Sequence, residues 1–269
     1  MKHGAARIIL IAAIALQFGC SGQSQKSQYL LAERLWSDGN FAAAVAAFEK
    51  AANRDPKSKM GVQSLFRAAS TQLLYLNQPT EAIQKLIRYS ELTPDPQASW
   101  EALLQVGDIY YSKLDQSENA IKLYQSLLKK REHPPEEAEI RYRIARSYYL
   151  LSRFKESSEG FEEIMRAFPK SKEAERAELD LGSVSLAQAE SGTETYQRTI
   201  QKFQKFISTH PDSRWISEAR FGIASALAEI DRLDEAEEIY LDLLKSYPAP
   251  QVIQIKLARL RERKAQKRR

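Results

Sequence analysis

The sequence predicts an all-α chain: a right-handed solenoid of about six helical hairpins, closed by a C-terminal capping helix. Three observations predict it. First, a small residue, an aromatic or leucine four on, an apolar residue three on and then proline recur six times. The copies are Ala44/Phe48/Ala51/Pro56, Ala82/Leu86/Tyr89/Pro94, Ala120/Tyr124/Leu127 with Pro134 late, Ser157/Phe161/Ile164/Pro169, Thr199/Phe203/Phe206/Pro211 and Ala236/Tyr240/Leu243/Pro248, and their first positions lie 38, 38, 37, 42 and 37 residues apart. Second, Pro56-Lys57-Ser58-Lys59, Pro169-Lys170-Ser171-Lys172 and Pro211-Asp212-Ser213-Arg214 repeat one joint. Proline cannot continue the outgoing helix, and the serine is placed to cap the incoming one. Third, apolar residues on both sides of each break keep helical spacing.

The elements follow in order. Met1–Gly19 has a basic start (Lys2, His3, Arg7) and an apolar core from Ile8 to Phe18, too short to span a bilayer, and reads as a secretion signal over residues 1–19. Residues 20–28 read as a polar tether. From 29 to 248 runs the repeat array. In the first hairpin Leu31, Leu35 and Trp36 precede a break at Asp38-Gly39-Asn40, and Phe41, Ala44, Val45, Phe48 and Ala51 form the second stripe. A small residue at the recurring first position lets two antiparallel helices approach closely. In the fifth hairpin Glu190-Ser191-Gly192-Thr193-Glu194 predicts an extra-long loop before Tyr196. Over 249–269, Val252, Ile253, Leu257 and Leu260 predict a helix that seals the array and continues into a basic tail.

Charge is unevenly placed. The formal net charge is +5, but residues 256–269 carry eight Lys/Arg against Glu262, a local +7, and the leader adds +2, so residues 20–255 sum to 5 − 7 − 2 = −4. The sole cysteine, Cys20, excludes an intramolecular disulfide. No Cys/His cluster has metal-ligand spacing, no Gly-rich phosphate loop or G-x-S-x-G elbow occurs, and no nucleophile–base–orienter set can be assembled. His133 and His210 sit beside prolines at helix ends and read as turn structure. The sequence therefore predicts a binding protein rather than an enzyme, with no cofactor, metal or small-molecule substrate.

These repeats resemble the tetratricopeptide family. Its first-helix signature is matched by Leu31-Ala32 with Leu35, Val106-Gly107 with Tyr110, Ile144-Ala145 with Tyr148 and Ile223-Ala224 with Leu227. The resemblance covers residues 29–248, with a period longer than the family's usual ~34 residues. Separately, Leu16-Gln17-Phe18-Gly19-Cys20-Ser21-Gly22 resembles the bacterial lipobox, with Gln17 where that motif prefers leucine. This implies acylation of Cys20 (palmitate among the chains) and anchoring by lipid. Ser21 is compatible with sorting to an outer membrane. Together the two features resemble the BamD (YfiO) group of outer-membrane lipoproteins, which implies a lipid-anchored scaffold on the periplasmic face, a subunit in β-barrel assembly. The Tol–Pal-associated CpoB (YbgF) group shares such repeats but begins with a coiled coil, and no heptads follow Cys20. A periplasmic adaptor for envelope polysaccharide, secretion or Tol–Pal-type machinery is the alternative.

In the family the first helices line the concave groove. That phase places Arg67, Thr71, Tyr75, Asp108, Tyr111, Tyr142, Arg146 and Tyr149 on the groove side, where an extended peptide or partner helix would lie. Tyrosine and arginine dominate binding hot spots. Only Arg67 and Arg146 among these could take a carboxylate. Lys256, Arg259, Arg261, Arg263, Lys264, Lys267, Arg268 and Arg269 predict a tail for an anionic partner, whether lipid headgroups, wall polymer or an acidic protein. Secretion and the lack of interleaved aromatics argue against nucleic acid.

Overall fold

The computed structural model describes residues 24–189 and 192–267. Cys20 and the leader lie outside them, as do Arg268 and Arg269. The described residues form thirteen helices and no strand: α1 (24–37), α2 (Phe41–Arg54), α3 (Lys59–Leu74), α4 (Pro79–Leu92), α5 (Pro96–Ser112), α6 (Ser117–Lys130), α7 (Glu137–Leu150), α8 (Phe154–Ala167), α9 (Lys172–Ala187), α10 (Thr193–Thr209), α11 (Ile216–Glu229), α12 (Leu233–Leu243) and α13 (Pro250–Lys267). Two units divide the chain after Lys130. Hairpins α1/α2, α3/α4 and α5/α6 make the first; α7/α8, α9/α10, α11/α12 and the terminal α13 make the second.

The recurring triads are the cores. Every member is buried except Tyr89, which leans on Phe66 with ring centroids 5.2 Å apart. The small positions of the first five hairpins that read Ala44, Ala82, Ala120, Ser157 and Thr199 are 0–1% exposed, so even Thr199 fits; its hydroxyl donates to the Thr195 carbonyl in its own helix. Close approach is most demanding around Phe203 in α10. A Cβ on Gly182 of α9 would stand 2.5 Å from that ring, and one on Gly222 of α11 2.4 Å from it. Phe203 is thus clamped from both sides by positions that admit only hydrogen.

Each described turn inside a hairpin contains one residue in the left-handed region: Gly39, Asn77, Asp115, Ser152 and Asp231, with φ between 51° and 76°. Only the first is glycine. Asn and Asp tolerate this region because their short polar side chains bond locally; Ser152 bears more of the Cβ penalty.

Three expectations change. The chain is already helical at residue 24, the first described residue, inside the segment read as a tether. The cause is Gln25, which is 4% exposed: its Nε2 donates to the carbonyls of Ala51 (2.9 Å) and Asp55 (3.0 Å), and its Oε1 accepts from Ser58 (3.0 Å). In the fifth hairpin, Thr193 and Glu194 belong to α10, so two of the five inserted residues extend a helix of 17 residues rather than a loop. Starting α10 early satisfies backbone groups that a loop would expose to water. At the joints, Ser58 and Ser171 accept from the amides of Gly61 and Ala174 (both 3.0 Å) as caps, but Ser213 does not cap α11. Its hydroxyl donates to Glu175 Oε1 (2.5 Å), and the helix starts two residues past the expected place, after Trp215.

Candidate partner-binding surfaces

In the first unit, Arg67 on α3 forms a two-pronged pair with Glu33 on α1: Nε to Oε1 2.9 Å and Nη2 to Oε2 2.8 Å. Its guanidinium lies 4.7 Å over the Trp36 ring. A planar fork meeting a carboxylate in this way is the strongest geometry for such a pair. Tyr75, 48% exposed at the end of α3, stacks on Phe41 (4.3 Å, 27° between planes) and meets Trp36 edge-on at 5.6 Å. Thr71 is not on the surface. It is 1% exposed and its hydroxyl donates to the Arg67 carbonyl at 2.7 Å, because its phase on α3 turns it toward the neighbouring helix. Asp108 on α5 accepts a hydrogen bond from Tyr124 of the same hairpin (2.7 Å), which occupies one oxygen, and Tyr111 next to it is half-buried.

In the second unit the predicted residues converge on one not foreseen. Asp180 on α9 has a side chain only 1% exposed. Tyr142 on α7 donates its hydroxyl to Oδ2 at 2.6 Å, Arg146 Nη1 lies 3.7 Å from Oδ1, and Arg176 Nε lies 3.4 Å from Oδ2. A buried carboxylate persists only when compensated in this way. Burial first, then the charge and hydrogen bond of Asp180, push the Tyr142 phenol far above its usual range, with Arg176 and Arg146 pulling the other way. The guanidinium of Arg146 stacks over Tyr149 (4.5 Å) and that of Arg176 over Trp215 (4.0 Å), against which Arg214 also lies (4.3 Å). Trp215 and Arg214 form part of an open cleft of about 640 Å³ at the Pro211 joint, with Lys172, Glu175 and His210.

So Arg67 and Arg146 do each face a carboxylate, but one of this chain. An incoming acidic group would have to compete with Glu33 or Asp180. The surfaces left for a partner are aromatic: Tyr75 in the first unit, and Tyr149 with Trp215 and the cleft in the second. Glu33, Asp180, Arg176 and Trp215 were not singled out in the sequence. A signal existed, since Glu33 and Arg67 are 34 residues apart and Tyr142 and Asp180 are 38 apart, close to one repeat.

The basic tail also differs from expectation. Arg261 pairs with Glu237 (3.0 Å), Lys264 with Glu237 (2.7 Å) and Asp234, Arg263 with the Ala228 carbonyl (2.8 Å) and Asp231, and Lys267 with Asp231. These four side chains are held by acids on α12 and the turn before it, because docking Ile253, Leu257 and Leu260 into the core brings the basic face of α13 beside them. Lys256 lies 5.8 Å over the Phe221 ring, and Arg259 is exposed without an ion pair among the described residues. The histidines occupy turns: His133 has φ 48° and sits 3.0 Å from Glu137, and His210 sits 2.9 Å from Glu178 at the end of α10. Among the described residues no group of three or more His, Cys, Asp or Glu could hold a metal ion, and no helix is long and apolar enough to cross a membrane.

Three tetratricopeptide-repeat models match the chain, over residues 25–58, 107–172 and 218–249. No curated protein sequence matches it. Among solved structures it is similar to PilW, a type IV pilus biogenesis factor (15% identity, 87% of this chain and 99% of that one, TM-score 0.54). It is also similar to the C-terminal part of a TPR repeat-containing protein from Cytophaga hutchinsonii (19% identity, 81% and 78%, TM-score 0.54). A third is PilF of Pseudomonas aeruginosa (15% identity, 88% and 99%, TM-score 0.50). At these identities the likeness is one of fold: a solenoid of tetratricopeptide-like helical hairpins, with tetratricopeptide repeats matched over those three segments.

Proposed function

We propose that the chain is a lipid-anchored protein-interaction scaffold on the periplasmic face of a bacterial outer membrane, acting as a BamD-like subunit of β-barrel assembly. The observation that carries this reading is the juxtaposition of a lipobox-like Cys20 with a repeat fold that is already helical at residue 24. Tetratricopeptide repeats are protein-interaction scaffolds, and stiff aromatic side chains next to fixed arginines suit the capture of a partner segment at low entropic cost. In this reading, Tyr149, Trp215 and the adjoining cleft grip the partner, while Asp180 holds Arg146 and Arg176 in place beneath them.

Two measurements test it. Cys20→Ser should release the protein from the membrane fraction of cells; retention there would sink the lipid anchor. Crosslinking in intact cells followed by mass spectrometry should recover β-barrel assembly components. Recovery of wall, secretion or Tol–Pal components instead would move the function to an envelope adaptor on the same fold.

A further inference from the structure

We infer that the end of the first unit where the chain emerges is a docking surface for anionic lipid headgroups, formed by Lys26, Arg54, Lys57 and Lys59. The inference builds on the proposed anchor at Cys20 but concerns different residues. Gln25 is the organising side chain. Its bonds to the carbonyls of Ala51 and Asp55 and from the Ser58 hydroxyl pin the start of α1 to the end of α2 and the joint before α3. This gathers Lys26 from α1, Arg54 from the last turn of α2, Lys57 from the joint and Lys59 from the first turn of α3. All four are exposed and none makes an ion pair among the described residues, whereas most arginines elsewhere do. Only Asp55 offsets them, leaving a local charge of 4 − 1 = +3 on a body that is acidic overall.

What this end faces follows from chain length. Four peptide links separate Cys20 from Ser24, a span of at most about 14 Å even when fully extended. An acylated Cys20 would therefore hold this end within about two headgroup-layer depths of the bilayer. Helix α1 continues the pattern. Lys26, Leu30 and Arg34 lie on one stripe, with Leu30 55% and Leu31 43% exposed beside it, the mixed basic and apolar face of a helix that rests in an interface.

The test uses the chain without its leader and with Cys20→Ser, so that no acyl chain contributes. Co-sedimentation with phosphatidylcholine vesicles containing phosphatidylglycerol should show binding that weakens with salt, and none with phosphatidylcholine alone. Each basic side chain at an anionic surface is worth about fivefold in partitioning, so Lys26→Gln/Arg54→Gln/Lys57→Gln/Lys59→Gln should cut binding by roughly six-hundredfold. Among the described residues these side chains have no ion pair to lose, and an unchanged thermal melt would show that the variant is folded. Lys155→Gln/Arg166→Gln, exposed on α8 of the second unit and assigned to no binding surface, should bind as the parent does. Absence of binding to the anionic vesicles, or binding lost with the second variant but kept by the first, overturns the proposal. Because these proteins carry no lipid, that outcome is separate from the fractionation of Cys20→Ser, which alone tests the anchor.

Discussion

Tyr142 donates its phenolic hydrogen to Asp180, 2.6 Å away and 38 residues further along the chain. The bond joins the first helices of two successive hairpins, α7 and α9, on the stripe where Arg146 and Arg176 also converge. Glu33 and Arg67 join α1 to α3 in the same manner in the first unit.

Removing Asp180 should therefore cost more than its size suggests. Asp180→Ala leaves two half-buried guanidiniums without their counter-charge, and breaking a buried pair in this way costs about 3 kcal/mol. Tyr142→Phe deletes a single bond to a charged acceptor and should cost about 1.5–3 kcal/mol. Urea unfolding measures both; equal stability of Asp180→Ala and the parent would mean that the cluster is not compensating charge.

The clamp on Phe203 predicts overpacking. Gly222→Ala puts a methyl 2.4 Å from a ring that Gly182 blocks from behind, so it should destabilise by about 1–3 kcal/mol. Phe203→Leu in the same chain should recover part of the loss, which a propensity effect on α11 alone would not allow.

Ser152 holds a left-handed conformation at φ 57° that its counterpart Gly39 adopts without penalty. Ser152→Gly should stabilise the second unit by about 1 kcal/mol, read as a rise in thermal midpoint. Gly39→Ser should lower the first unit by a similar amount.

The attachment of α13 should weaken in acid. Hydrogen bonds from Lys264 and Arg261 hold the Glu237 carboxyl below its usual range, with desolvation opposing them weakly. A lowered folded value means that this stabilisation is present above the ordinary glutamate range and is lost as pH falls through the lowered value. Hydrogen-exchange protection along α13, taken relative to the intrinsic rate at each pH, should fall as the pH drops below the ordinary range, and Glu237→Gln should remove that part of the dependence. High salt should act in the same direction through the Arg261–Glu237 pair, whose arginine is exposed.

The sequence by itself determined the number of hairpins, their boundaries to within a few residues and the recurring triad at the centre of each core. Periodicity along one helix decides which side chains share a face, and the Ala–aromatic–apolar–Pro series recorded that face six times. What only the tertiary structure decided was which polar residues meet. Thr71 was turned inward, Arg67 and Arg146 were given carboxylates of their own chain, Ser213 gave its hydroxyl hydrogen to Glu175 while accepting from the Trp215 amide ahead of α11, and Gln25 fixed the supposed tether as helix. The tail's positive charge and part of the body's negative charge, legible separately in the sequence, turned out to neutralise each other across α12 and α13. Each of these depends on the rotation and rise between neighbouring helices. A change of one residue in that register exchanges the partners while leaving every apolar stripe intact, so a single sequence displays the stripes and not the pairs.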